Sequence, residues 1–246
     1  MPGGDALHRI ARTLEPLVGE RLRIDVMHPR ARLLGLEQLD GKRLESVEAH
    51  GKHLLLRFEG DLVLHSHLGV SGRWQVQRRQ APLAGRPWLV LRGESLQAAQ
   101  WNGPTLELRR AGRTPVLGPD ILASPLAAGA ILARMRAAPQ RLTLGEALLD
   151  QRLVAGIGNI WRAEGLWRAG LSPWNGLVRV SDAELQAALA ETAALMRESL
   201  AGRTPQRAVY RRAGRLCRRC GTAVRSRAQG DSARIAYWCP GCQPDR

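Results

Sequence analysis

Four cysteines constrain this chain more than any other feature. They stand as two pairs, Cys217-x2-Cys220 and Cys239-x2-Cys242, with eighteen residues between the pairs. Two such knuckles can turn four soft thiolates onto one tetrahedral zinc, and no cysteine is left over. Thiolate fills every position, so the metal has no open site. One structural zinc at Cys217, Cys220, Cys239 and Cys242 is expected, not a catalytic one. Two incidental pairs or a redox motif are the other readings, and the latter would want a separate fold for each pair. Met1–Val18 lacks the basic, apolar, then small pattern of an export signal, so an unexported chain without disulfides is expected.

Charge points to the partner. The 246 residues carry 37 Lys+Arg against 22 Asp+Glu, a formal net charge of +15. Residues 199–246 hold eleven arginines against Asp231 and Asp245, so most of the excess lies in the last 48 residues. Such a stripe neutralises phosphates and releases counterions, which makes a nucleic acid the first expectation. A solvated basic face or an anionic membrane surface is the plainer alternative. Hydrophobic residues make up 44%, against disorder, and no 18-residue apolar run spans a membrane. Only two residues, Lys42 and Lys52, are lysines. Arginine does the surface work here, so each lysine is a candidate for a task needing a compact or deprotonatable ammonium.

Apolar spacing predicts a helix over residues 5–18, then strands from about 21 to 110. The clearest strands are Lys52–Phe58 and Leu62–His67, joined at Glu59-Gly60-Asp61; others run through Arg73–Gln77, Trp88–Arg92 and Leu106–Leu108. Gly112–Asp120, with Pro115 and Gly118-Pro119, reads as a linker. Helices follow. Ser124-Pro125 starts one that Pro139 stops, and Thr143–Glu146 is a capping box before Ala147–Gln151. The glycine turn Ala155–Asn159 opens a helix to Ala169, and Ser181–Glu184 caps another that runs to Leu200.

Two further motifs carry chemistry. The turn at Gly156–Asn159 offers N–H groups and the Asn159 amide to a phosphate, although Asn159 could equally be an ordinary N-cap. Removal of Met1 would leave Pro2 as an N-terminal secondary amine. Such an amine attacks an aldehyde-like carbon to give an iminium, an electron sink for elimination.

Taken in order, these pieces resemble the formamidopyrimidine-DNA glycosylase and endonuclease VIII family of bacterial DNA glycosylase/AP lyases. The resemblance runs nearly end to end: Met1-Pro2, Gly51-Lys52-His53-Leu54-Leu55, His65-Ser66-His67-Leu68, Leu117-Gly118-Pro119-Asp120, Leu148-Leu149-Asp150-Gln151, Ala155–Ile160, and Arg234-x-x-Tyr237-Trp238-Cys239-Pro240-Gly241-Cys242-Gln243. It implies an α+β multidomain chain. An N-terminal helix and β-sandwich would occupy residues 1–115, a helix–two-turn–helix domain 116–205, and a zinc ribbon 206–246.

The implied activity is base-excision repair of double-stranded DNA carrying a damaged base or an abasic site, through a Pro2 Schiff base and β,δ-elimination. Lys52, on a hairpin strand, would contact phosphate or move a proton. Asn159 would hold the phosphate beside the lesion, and Arg234, at the ribbon tip, would grip the same backbone and assist the later elimination as a catalytic residue. The damaged nucleotide would leave the stack, with Val70 in the His67–Ser71 loop as wedge. His65 and His67 would serve structure or phosphate contact, not metal. The expected protein is a cytoplasmic monomer working on the nucleoid, with no membrane partner. Only nine residues separate Leu200 from Tyr210, leaving little room for the lesion-capping loop of the purine branch, and the Tyr237-Trp238-Cys239 ending resembles the endonuclease VIII branch. Oxidised pyrimidines are thus the preferred substrates, with formamidopyrimidine specificity the alternative.

One position departs from the pattern. The family has a catalytic glutamate after the proline, and this chain has Gly3. Base excision should then be impaired, unless Asp5 supplies the acid; the plainer role for Asp5 is capping the first helix. A protein that binds damaged or abasic DNA without turnover is the competing class.

Overall fold

The computed structural model describes residues 3–112, 116–203, 205–231 and 233–246. The chain divides into two compact units, one beginning at Ala6, the other combining Gly3–Asp5 with Val116–Arg246.

Helix α1 (Gly4–Leu14) is shorter than its apolar period suggests. Pro16 has no N–H and its ring crowds the preceding turn, so the expected helix over 5–18 breaks into α1 and a 3-10 turn at Glu15–Leu17. Strand β1 (Arg23–Val26) and a single helical turn, α2 (Pro29–Arg32), follow. Then come β2 (Leu44–His50), β3 (His53–Phe58), β4 (Leu62–His67), β5 (Arg73–Arg78), β6 (Leu89–Arg92), β7 (Leu96–Trp101) and β8 (Thr105–Arg110). These form two antiparallel four-stranded sheets, ordered β1-β6-β7-β5 and β2-β3-β4-β8. Leu54, Leu56, Phe58 and Leu64 of one sheet and Leu89, Leu91 and Ala98 of the other share a core with Leu7 and Leu14 of α1. The result is a β-sandwich with a helix packed on it.

Lys52 falls outside the strand assigned to it. His50 pairs with His53, leaving Gly51-Lys52 as a two-residue hairpin turn. Gly51 takes φ 58°, the left-handed start that this turn needs and that glycine adopts without strain.

The second unit is helical, then a ribbon. Helix α3 (Ala128–Ala137) starts three residues after Pro125, not at it, and ends before Pro139. In α4 (Leu144–Ala147) the Thr143/Glu146 capping box forms as expected, but the helix lasts one turn. Helix α5 (Asn159–Ala169) stops at Gly170 in the left-handed region, and α6 (Asp182–Leu200) opens on the Ser181/Glu184 box. The two lie in close contact at Gly165, where a β-carbon would stand 2.0 Å from Thr192 Oγ1. Strands β9 (Arg225–Gln229) and β10 (Arg234–Trp238) pair as a hairpin. Among the described residues no helix is long and apolar enough to cross a membrane.

Candidate functional site

The four cysteines converge. Their Sγ atoms all lie within 4.8 Å of one another, with Cys217–Cys242 at 3.8 Å and Cys220–Cys239 at 3.4 Å. Zn–S bonds of about 2.3 Å in a tetrahedron put sulfurs about 3.8 Å apart, so the donor set fits one zinc. N–H groups already face the sulfur: Trp167 Nε1 and the Arg219 amide each donate to Cys217 Sγ at 3.4 Å. Gln243, fully buried, pins the second knuckle by accepting from the Cys239 amide and donating to the Leu171 carbonyl. Among the described residues this is the one cluster of His, Cys, Asp or Glu arranged to hold a metal.

The start of α5 is tied to the ribbon hairpin. Gly158, not Asn159, is the N-cap. The Asn159 amide instead donates to the Ile235 carbonyl at 2.9 Å and accepts from Arg162 Nη2 at 2.5 Å. Arg162, 1% exposed, donates further to Gln229 Oε1 and to the Ile235 carbonyl, both at 2.9 Å. Burial and the nearby charge of Arg234 pull its pKa down to about 10, so it stays a cation at neutral pH. One turn on, the buried Glu164 carboxylate accepts from the amides of Ala208, Val209 and Tyr210 at 2.8, 3.1 and 2.7 Å. Two charged residues of one helix thus fix both the hairpin and the chain entering the ribbon. Arg234 opens β10 opposite Gln229. The first-turn N–H groups of α5 have no intrahelical acceptor, and a helix start of this kind favours an anion. Arg162 and Glu164 escaped the sequence reading. Their signal was two charges inside Asn-Ile-Trp-Arg-Ala-Glu, at helical positions facing neighbours instead of water.

Gly3 and Asp5 lie in the same unit. Asp5 belongs to the first turn of α1 and is 6% exposed. Trp161 Nε1 donates to its Oδ1 and Ser199 Oγ to its Oδ2, each at 2.7 Å. The capping role expected of Asp5 gives way to a buried link to α5 and α6. Pro2, with Met1, lies outside the described residues.

In the first unit, Lys52 is 5% exposed. Beside it, His53 stacks on His65 with ring centroids 5.0 Å apart, their Nδ1 and Nε2 2.7 Å apart, and His67 stands 5.1 Å from His53. Burial first, then repulsion from His65, His67, His50 and Lys52, lowers the His53 pKa from 6.5 to about 3. His65 and His67 are also lowered, mainly by burial, with Glu107 opposing the Arg109 charge at His65. The cluster is built neutral. His67 Nδ1 accepts from the Gly69 amide at 3.2 Å, shaping the turn that carries Val70, which is 78% exposed.

A pH dependence follows. The cluster's contribution to stability is full above the ordinary histidine pKa of 6.5 and is lost as pH falls toward 3, because the unfolded chain then binds protons that the folded cluster refuses. Melting temperature should therefore fall between about pH 7 and pH 5, and His53→Gln should flatten that slope. An unaltered slope would contradict the assignment.

Two family models match the chain: the formamidopyrimidine-DNA glycosylase N-terminal domain over residues 1–109 and the formamidopyrimidine-DNA glycosylase H2TH domain over 117–208. "Probable endonuclease 8 2" of Streptomyces coelicolor is 36% identical over 264 aligned positions, covering 99% of this chain and 94% of the relative. The chain belongs to the formamidopyrimidine-DNA glycosylase and endonuclease VIII family. A second family member, "DNA-(apurinic or apyrimidinic site) lyase Nei2" of Mycolicibacterium smegmatis, is 33% identical with 99% of each chain covered. The fold agrees. Lactococcus lactis formamidopyrimidine-DNA glycosylase, solved non-covalently bound to DNA containing an AP site, superposes with TM-score 0.83 at 23% identity, covering 98% of this chain and 99% of that one.

Proposed function

We propose that this chain, a DNA glycosylase/AP lyase of base excision repair, acts through Pro2 on abasic sites and, less effectively, on oxidised pyrimidines in duplex DNA. With Met1 removed, the Pro2 amine forms a bond to C1′; at an abasic site the aldehyde oxygen leaves as water, and at an oxidised pyrimidine the base leaves with a proton as the sugar ring opens. The iminium acidifies the C2′ hydrogen; loss of that proton breaks the C3′–O bond and expels the phosphate, and a second elimination frees the sugar. Water then regenerates the amine. Lys52 contacts phosphate or carries one of these protons. Asn159, with the α5 N–H groups, and Arg234 hold the backbone at the lesion, and Val70 fills the space of the extruded nucleotide.

The observation that carries this reading is the Arg162–Asn159–Ile235 lock, which fixes the hairpin bearing Arg234 against an anion-binding helix start. The name of the Mycolicibacterium relative and the AP-site DNA in the Lactococcus structure point the same way. One structural zinc on Cys217, Cys220, Cys239 and Cys242 would cross-link the ribbon and supply no catalytic chemistry. The division of labour we infer is catalysis in 1–115, DNA binding in 116–205 and backbone grip in 206–246. A monomer working in the cytoplasm on the nucleoid suits it.

Gly3 favours a second reading, binding without turnover, because glycine has no proton to give during base release. A labelled duplex with one abasic site separates the two. The lyase reading expects strand cleavage ending in a 3′-phosphate, with slower cleavage of the same duplex carrying an oxidised pyrimidine. Tight binding with an uncut abasic strand would establish the binder instead. Faster cleavage of a formamidopyrimidine duplex than of an oxidised-pyrimidine one would move the lesion preference to purines.

A further inference from the structure

We propose that pre-formed abasic-site DNA, and not base-damaged DNA, is the substrate this chain is built for, because Trp161 and Asp5 fill the space that any acid at position 3 would need. The proposal rests on Pro2 acting as the nucleophile. A β-carbon built on Gly3 stands 2.6 Å from Asp5 Oδ1 and 2.6 Å from both Cδ1 and Nε1 of Trp161. Side-chain carbons do not approach other atoms that closely. The exclusion is therefore steric.

Neither obstacle is a loose end. Trp161 is 7% exposed and sits in the helical core with Ile157 and Leu166. Its Nε1 is bonded to Asp5 Oδ1, and the other Asp5 oxygen accepts from Ser199 Oγ. Next to Gly3, the Gly4 amide donates to the Gly156 carbonyl at 2.8 Å, which holds the segment in place. Moving either side chain to admit a glutamate therefore breaks a buried hydrogen bond or opens the core. Trp161 and Ser199 both use the Asp5 carboxylate as an acceptor, which ties it to the helical core. The absence of an acid at position 3 is thus matched by the packing around it.

The chemistry divides at that point. Release of a base from an intact nucleoside needs a proton for the departing base or the opening sugar, and a positioned acid contributes about 10²–10⁴-fold to such steps. A pre-formed abasic site has lost its base and partly exists as the open aldehyde. There the Pro2 nitrogen bonds to C1′, the carbonyl oxygen leaves as water, the C2′ proton goes to a base and the C3′–O bond breaks. The reaction class that must supply this substrate is hydrolysis of an N-glycosidic bond.

The unaltered protein gives the first test. On duplexes identical but for the lesion, cleavage at an abasic site should exceed release of an oxidised pyrimidine by at least about 100-fold. Melting temperature gives the second. Gly3→Ala should lower it, and the loss should shrink in a Trp161→Ala background, where the ring no longer meets the new β-carbon. Gly3→Glu alone should melt lower and release base no faster, whereas Gly3→Glu with Trp161→Ala should release base faster than either single variant. Release of oxidised pyrimidine within tenfold of abasic cleavage would overturn the substrate assignment alone. Gly3→Ala with an unchanged melting temperature would overturn its packing basis. No abasic cleavage at all would overturn it together with the Pro2 reading.

Discussion

Cys239→Ser should cost the protein the zinc proposed for its four cysteines, the fold of the ribbon and most of its hold on DNA. The ribbon has little core of its own: Val209, Tyr210, Val224, Cys217 and Cys239 are its buried cluster, with Ala163 contributed by α5. In small zinc modules the metal's binding energy, on the order of 10 kcal/mol or more, is folding energy. Without it β9 and β10 lose their base, and Arg234 loses its position. Zinc content should fall below half an equivalent, and affinity for abasic duplex should drop roughly 100-fold, because several phosphate contacts go together. Metal analysis and a binding titration check both. A zinc-free variant that binds DNA unchanged would show that the ribbon is not the grip we assign it.

The second large effect is at Arg162. Arg162→Met keeps the bulk of the stem but leaves Asn159 Oδ1 and Gln229 Oε1 facing a thioether where each had a guanidinium N–H. Each buried acceptor left without its partner costs about 1–3 kcal/mol, and together these losses lower the melting temperature of a chain of this size by roughly 10 °C. Arg162→Lys should rescue little, since one ammonium cannot reproduce a planar fork reaching four acceptors. DNA binding should weaken in both variants even well below the melting temperature, as the hairpin loosens from α5. Arg162→Met melting within a degree or two of the parent would contradict the role given to this side chain.

How much of this was legible follows from the kind of signal each element carries. The capping boxes at Thr143 and Ser181 and the stop at Gly170 were plain, because local hydrogen-bonding chemistry writes them directly into sequence. The four cysteines were plain because their spacing has few other uses. Strand β7 was not. Gln97 and Gln100 are both buried beside Ala98 and Ala99, so the polar–apolar alternation that marks a half-exposed strand is missing. Lys52 reads as strand from its apolar neighbours, whereas Gly51, at φ 58°, turns the chain there. The tie between Arg162 and Asn159 was half legible, since the i, i+3 spacing was there to see, but the carbonyl both donate to belongs to Ile235, 73 residues further on. Gly3 was visible as a departure. The reason it is tolerated, an indole 158 positions away in sequence, was not.

Attack of the Pro2 amine on the abasic sugar is tested most directly by borohydride trapping. Reducing the iminium in place should leave protein joined covalently to a strand that carries one abasic site. The cross-link should need Met1 to be absent, as mass spectrometry can verify, and should vanish when the amine is blocked by an added N-terminal residue. Substitution of Lys52 or Arg234 should slow trapping without abolishing it. Protein lacking Met1 that binds the abasic duplex and yields no cross-link would contradict the account.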